Sequence, residues 1–287
     1  MEAQPYKRFR DKVWDHLASY VIDTYGDSVI KGEWHGKPTS HRHILRIDDE
    51  PKVEIIRKYN LLKSAQIEPF LLSKPHNEAH HLNSSQIMCY NFFRPQLNAD
   101  GFVQKPLKDL LNSIIGSTYG EGKACFEYID HNSEEKKGKT NYDFYVNFED
   151  MKVFFEIKYT ENKFDHCKIN DGHFEKFEYY STMMERCGIF KPGTNQWSPS
   201  FQKHYQLIRN AINVGENSFV IIISDQRNKS TSNQIKTFKE MLNKSAPLLG
   251  HLIFITWQEL MILAKDSRFL NEHLKEFEEK YLIPKVI

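Results

Sequence analysis

The stretch Asn141–Thr160, N-Y-D-F-Y-V-N-F-E-D-M-K-V-F-F-E-I-K-Y-T, decides the reading of this chain. Two alternating runs flank Glu149-Asp150. If those two residues make a two-residue hairpin turn, Phe148 faces Met151, and opposed residue numbers sum to 299. Asp143 then stands opposite Glu156, and Tyr145 opposite Phe154. Side chains alternate across a strand. One face therefore collects Tyr142, Phe144, Val146 and Phe148 with Val153, Phe155, Ile157 and Tyr159, and is expected to be core. The other collects Asp143, Tyr145 and Asn147 with Lys152, Phe154, Glu156 and Lys158. Two carboxylates and an ammonium converge at one end of it.

Like charges placed opposite each other on a sheet cost up to about 1 kcal/mol. A divalent cation would offset that, with help from Lys158. Hard cations such as Mg²⁺ take carboxylate oxygens and keep several waters. A bound metal polarises a phosphate and acidifies an attacking water. A neighbouring lysine orients that water or stabilises the developing charge. The spacing alone decides nothing, because at ordinary residue frequencies D…E-x-K arises by chance about 0.6 times in such a chain. Shared face and strand context carry the argument. Glu-Asp is also not one of the favoured hairpin-turn pairs.

Outward from the hairpin, Ala124–Ile129 reads as a preceding strand, and the polar, basic stretch Asp130–Thr140 as an exposed, mobile loop. Asn83-Ser84-Ser85 caps a helix that continues through Ile87, Met88, Phe92 and Phe93. Lys105–Ile115 is a helix ending before Gly116. Helical spacing returns at 173–187 and 199–213. Phe219–Ser224 and His251–Thr256 are apolar runs of the kind buried on both faces. Helices are expected over about 231–243, Trp257–Lys265 and Asn271–Tyr281, and over 7–25 near the start. Residues 26–82 read as an irregular or partly helical layer. The order predicts an α/β domain with a mixed sheet: a three-strand meander plus buried fourth and fifth strands, flanked by helices. An N-terminal extension over 1–82 and a main domain over 83–287 are the expected division.

Composition narrows the classes. Net charge is +1 from 39 basic and 38 acidic residues, so no general basic coat argues for nucleic acid. A locally basic face remains compatible with that balance. No apolar run is long enough to span a bilayer, and the polar, basic start lacks a secretory pattern. Cys89, Cys125, Cys167 and Cys187 form no C-x-x-C pair and read as free thiols of a cytoplasmic protein. His41, His43, His80 and His81 make no metal signature and read as surface or supporting residues.

F-E-Y at 126–128, N-Y-D-F-Y at 141–145 and V-F-F-E-I-K-Y-T-E at 153–161 resemble the PD-(D/E)XK nuclease superfamily. The chain is similar, more narrowly, to a bacterial group of restriction endonucleases, through S-S-Q-I-M-C-Y-N-F-F at 84–93 and Y-Q-L-I-R-N at 205–210. The resemblance covers roughly residues 80–225. It implies Mg²⁺, with Mn²⁺ as a substitute, held by Asp143, Glu156 and the main-chain carbonyl of Ile157, with Lys158 beside the attacking water. Tyr142 stands where the nominal pattern has proline. Glu127 would be a third carboxylate or a partner of metal-bound water; otherwise it is an exposed strand glutamate. Glu161 is an outer member of the site or a loop charge. In 199–213, Gln202, Gln206, Arg209 and Asn213 share a stripe opposite Phe201, Tyr205, Ile208 and Ile212. Gln206 is expected to serve the catalytic group. Arg209, Gln86 and Asn210 are expected to touch nucleic acid or to support the metal-site side chains, and Asn91 to make a buried structural hydrogen bond.

The leading expectation is an Mg²⁺-dependent endonuclease acting on double-stranded DNA, of restriction type or in another bacterial defence or DNA-processing role. It would work as a homodimer with a cognate methyltransferase. The alternatives are a nuclease-fold binding module without hydrolysis and a plain α/β domain with a solvated charged face.

Overall fold

The computed structural model describes residues 8–26, 33–34, 37–38, 43–45, 51–72, 75–116, 118, 120–129, 140–168, 176–269 and 271–282. The loop expected over 130–140 lies, except for Thr140, outside these, as does His41. The chain divides into two compact units, Met1–Leu97 with Met261–Ile287, and Asn98–Leu260. That division differs from the boundary expected at 82/83: residues 83–97 and the C-terminal helix group with the N-terminal part.

Among the described residues the first unit is mainly helical, with one short antiparallel pair, β1 (Glu33–Trp34) and β2 (Lys37–Pro38). Helix α1 (Phe9–Tyr25) buries Val13, Leu17 and Val21, a stripe at four-residue spacing, and packs on α11 (Asn271–Tyr281). Helices α2 (Lys52–Lys58) and α3 (Ser64–Leu72) occupy part of the stretch 26–82 expected to be irregular or partly helical, and α3 contains Pro69. Helix α4 (Ser85–Phe93) starts at its expected cap, Ser84, whose side chain accepts from Ile87 N at 3.4 Å. Every residue from Gln86 to Phe93 is buried, so α4 is an interior helix without a solvent stripe. Asn91 Nδ2 donates to Tyr281 OH at 2.7 Å, the buried structural bond expected of it. His43 and His80 are buried rather than superficial, and His43 stacks on Trp14 at 4.1 Å.

The second unit is a five-stranded mixed sheet flanked by helices, an α/β architecture of the restriction-endonuclease-like kind. Strands β3 (Lys123–Ile129), β4 (Asn141–Asn147) and β5 (Lys152–Ile157) form the antiparallel meander. β6 (Ser218–Ser224) and β7 (Leu252–Thr256) follow in parallel, in the order β3-β4-β5-β6-β7. The β4–β5 register is the expected one: Phe144 faces Phe155, Tyr145 faces Phe154 and Asn147 faces Lys152. Phe148 N donates to Met151 O at 2.8 Å and closes the turn. Gly122, just before β3, lies so close to the Phe148 ring that an added Cβ would sit 2.5 Å from it. Any larger residue there would push the turn away.

The alternative of a solvated sheet face does not hold, and two expectations need correction. The face holding Tyr145 and Phe154 is not solvated. Both rings are buried in a core shared with Tyr205, Ile208, Val220 and Ile222. Tyr142 belongs to this same core and not to the Phe144 face, because β4 leaves regular pairing next to it. Its hydroxyl donates to Asn210 O at 3.1 Å. Finally, the helix expected over 199–213 is two helices, α7 (Pro199–Lys203) and α8 (Tyr205–Ala211), broken at His204. The cause is a neighbouring loop that takes the helix's hydrogen bonds. Gln206 N donates to Asp165 O rather than to Gln202, while Cys167 N donates to Gln202 O.

Around this frame stand α5 (Lys105–Ile115), α6 (Phe177–Cys187) and α9 (Lys229–Lys239), and α10 (Trp257–Asp266) begins in this unit and ends in the first. Among the described residues no helix is long and apolar enough to cross a membrane. Cys89, Cys167 and Cys187 are buried and Cys125 is exposed, all as free thiols.

Candidate active site

The site forms where the meander loses its regular pairing. The β3–β4 ladder is continuous on both sides of Glu127 and Asp143 but skips that pair. Glu127 has φ +52°, the left-handed region, which costs a residue with a Cβ about 1–2 kcal/mol. The β4–β5 ladder likewise ends at Phe144 and Phe155. One step further, a side chain replaces the backbone: Ile157 N donates to Asp143 Oδ2 at 2.6 Å. Within a strand, the N–H and C=O of one residue point to the same edge. The Ile157 carbonyl therefore also faces the Asp143 side.

Glu156, the neighbour of Ile157, is only 3% exposed, yet both of its oxygens are engaged. Oε1 accepts from Gln206 Nε2 at 2.7 Å and lies 3.1 Å from Lys158 Nζ. Oε2 accepts from Asn210 Nδ2 at 3.0 Å. Gln206 is itself oriented, since its Oε1 accepts from Asp165 N at 2.8 Å. The helix break at His204 thus has a consequence for the site: the 164–167 loop that breaks the helix also fixes the amide that holds Glu156.

Lys158 is anchored through its backbone N, which donates to Ile223 O at 2.8 Å, and its ammonium stands 5.6 Å from the Phe164 ring centre. Burial acts to lower its pKa, but Glu156, Glu161 and Asp143 together outweigh that and raise it, so Lys158 stays a cation. Asp143 shows the reverse balance. Burial first, then Glu156, push its carboxyl well above the ordinary carboxylate range. Glu127 adds to the push, and Lys158 and the Ile157 N–H offset only part of it. Three carboxylates thus act on one lysine, and Asp143 bears the surplus.

The other expected members are placed as follows. Glu127 Oε2 accepts from Asn141 Nδ2 at 2.7 Å, and Glu127 stays close enough to act on Asp143. Glu161 Oε2 accepts from Tyr159 N at 2.6 Å, and its charge acts on Lys158. Arg209 does not reach Asp143 or Glu156. Its guanidinium lies 5.9 Å from the Tyr205 ring centre, and its buried Nε has no hydrogen-bond partner. Gln86 belongs to the first unit, where its Oε1 accepts from His76 N at 3.1 Å. Asn210, expected to touch nucleic acid or to support the metal-site side chains, lies four residues after Gln206 on one helix face and bonds Glu156 beside it. Asn228, which the sequence did not single out, donates to the carbonyls of Tyr159 and Glu161 and ties the segment after Lys158 to the start of α9.

Among the described residues no cluster of three or more His, Cys, Asp or Glu side chains is arranged to hold a metal. No curated protein and no solved structure is a significant match for this chain. The family model described as "Restriction Endonuclease associating with ARP" matches residues 62–282. That span takes in the whole sheet, the Asp143, Glu156 and Lys158 positions, and helices of both compact units. The chain belongs to this restriction endonuclease family.

Proposed function

We propose that the chain is a metal-dependent endodeoxyribonuclease that hydrolyses phosphodiester bonds of double-stranded DNA. The observation that carries the reading is the convergence of Asp143, Glu156 and Lys158 at the edge where β4 and β5 stop pairing. The residues fit a hard divalent cation. Asp143 and Glu156 offer carboxylate oxygens and Ile157 a carbonyl on the same side, a small all-oxygen set of the kind that leaves Mg²⁺ several waters. The surplus negative charge on Asp143 is the kind a cation would relieve. Asn210 Oδ1 is buried without a hydrogen-bond partner beside Glu156 and would accept from a water held there. Mg²⁺ is the expected ion and Mn²⁺ a substitute. Once bound, such an ion would polarise the scissile phosphate and acidify an attacking water.

The chain's own residues supply the rest. Gln206 and Asn210 hold the Glu156 carboxylate in one orientation. Lys158, protonated at working pH, serves as a donor and a positive charge toward the phosphoryl oxygens, and does not serve as the base that takes the proton. Two-fold symmetric cutting would suit a homodimer. A restriction role would call for a cognate methyltransferase.

The test is plasmid cleavage with Mg²⁺ against EDTA, in wild type and Lys158→Ala. Cation-dependent nicking or linearisation that the variant loses is the expected result. A wild-type protein inert on every DNA form with Mg²⁺ and Mn²⁺ overturns it. One observation favours the non-hydrolytic alternative: Glu156 already has a donor on each oxygen. Calorimetric titration with Mn²⁺ separates the two, because a binding module of this kind would show no cation binding.

A further inference from the structure

A cavity of about 590 Å³ opens between the loop after β5, helix α7 and the first turns of α9. Its lining includes Lys163, His166, Lys168, Lys203, Gln202 and Asn233, and among the described residues no Asp or Glu lines it. Among the described residues no carboxylate pairs with Lys163 or Lys203. In a chain of net charge +1 this is a local concentration of positive charge. Its walls are pinned. Gln234 Oε1 accepts from Phe164 N at 2.8 Å, and Gln234 Nε2 donates to Lys203 O at 2.7 Å. One side chain of α9 thus holds both lysine-bearing segments.

The cavity adjoins the candidate site by direct contacts. The loop that carries Lys163, His166 and Lys168 also contains Asp165, whose backbone is bonded in both directions to Gln206. Gln206 in turn holds Glu156 at 2.7 Å, and Phe164 lies under the Lys158 ammonium.

We propose that this cavity is a subsite for one nucleotide of the nucleic-acid strand, next to the phosphate at Asp143, Glu156 and Lys158. The inference rests on the nuclease reading above. Lysines bind phosphate as point charges. Amides such as Gln202 and Asn233 offer both donors and acceptors to a sugar or base edge. The volume exceeds what a bare phosphate fills and lies in the range of small-ligand pockets. A strand running on from the cleavage position would place its next phosphate on Lys163 and Lys203, and contacts of that kind set register without reading sequence.

The experiment measures binding of single-stranded and duplex oligonucleotides by fluorescence anisotropy over a series of salt concentrations. The full-length chain is kept in EDTA so that nothing is cut. The Lys163→Ala/Lys203→Ala variant should lower the slope of log K against log salt by about 2 and weaken binding about tenfold. Lys163→Arg/Lys203→Arg should restore both. Lys236→Ala removes an α9 lysine that does not line the cavity and should leave both unchanged. An unchanged slope in the double alanine variant overturns the subsite, as does an equal loss in Lys236→Ala. Tight binding of free ATP that does not compete with the oligonucleotide overturns the assignment to the strand. If wild type binds no DNA or RNA at all, the nuclease reading falls with the subsite. Wild-type binding with an insensitive double variant removes the subsite alone.

Discussion

Among the described residues, Lys280 in one compact unit is buried and Lys158 in the other keeps 12% of its side chain exposed, and their surroundings drive them in opposite directions. Lys280, in α11, is 2% exposed. Its ammonium donates to Tyr59 O at 3.3 Å and stands over the rings of Tyr20 and Tyr281. Burial alone lowers its pKa to about 7. Lys158 meets the same desolvation, yet the carboxylates around it raise its pKa. A helical interior tolerates an amine that can shed its proton. A carboxylate cluster enforces a permanent cation. Burial is therefore a poor sign of function by itself, and the company a buried charge keeps is the better one.

The largest break in this comparison comes from removing each charge. Lys158→Ala should cost about 10²–10³ in plasmid cleavage rate, the size typical of losing a preorganised donor to developing charge. Lys280→Met should leave cleavage within a few-fold of wild type. Equal loss in both would mean that Lys158 acts only through folding. Gln206→Ala probes the support behind Glu156. It should weaken Mn²⁺ binding or activity by about 10–100-fold, as outer partners of metal ligands usually do. Gln206→Glu should be worse, because it puts a further acidic group against Glu156. Calorimetry read beside the rate separates a binding loss from a chemical one.

Lys280 also makes a prediction for stability. Its folded pKa is depressed below the unfolded 10.5, so between about pH 7 and 10.5 the unfolded chain binds the extra proton. Stability should rise with pH across that window by about 1 kcal/mol per unit. Lys280→Met should flatten the profile and leave the protein at least as stable at pH 7, because replacing a buried charge by an apolar chain is often neutral or stabilising. Urea unfolding at several pH values is the check. A profile identical to wild type would place the ammonium in water.

How far the sequence carried this picture follows from which interactions are local. The β4–β5 register was legible because turn length and alternation fix it, and both lie within twenty residues. The limits of α5 and α11 were legible from periodicity and punctuation. The break at His204 was not, since its cause is a loop some forty residues earlier that takes the helix's hydrogen bonds. The flip of Tyr142 was hidden for a related reason: strict alternation assumes regular pairing, and Glu127 with Asp143 interrupts it. Helix α3 was obscured by Pro69, which sequence rules read as a helix end. Of the site, Asp143, Glu156 and Lys158 could be placed on one face from the strand pattern. The clamp of Gln206 and Asn210 needed the packing of α8 on the sheet, which no single segment encodes.

The smallest expected effect sharpens the contrast between the site's own two carboxylates. Glu156 holds the Lys158 ammonium at 3.1 Å and the amides of Gln206 and Asn210, whereas for Asp143 the Ile157 N–H and the more distant Lys158 charge do not outweigh burial, Glu156 and Glu127. A carboxyl whose folded pKa is raised binds a proton that the unfolded chain has released. Its stabilising contribution is therefore full below the ordinary value of 3.8 and is lost as pH rises through the raised folded value. In EDTA, wild-type stability should decline over that rise. Asp143→Asn cannot take on the charge, keeps an oxygen for the Ile157 N–H, and should remove the decline, leaving the variant about 1 kcal/mol more stable than wild type near neutrality. Mn²⁺ should raise the melting temperature of wild type and leave Asp143→Asn nearly unchanged, because the variant lacks one of the two carboxylates that would hold it. Equal pH profiles in the two proteins would mean that Asp143 is solvated or already neutralised, and the argument that its surplus charge calls for a cation would fail.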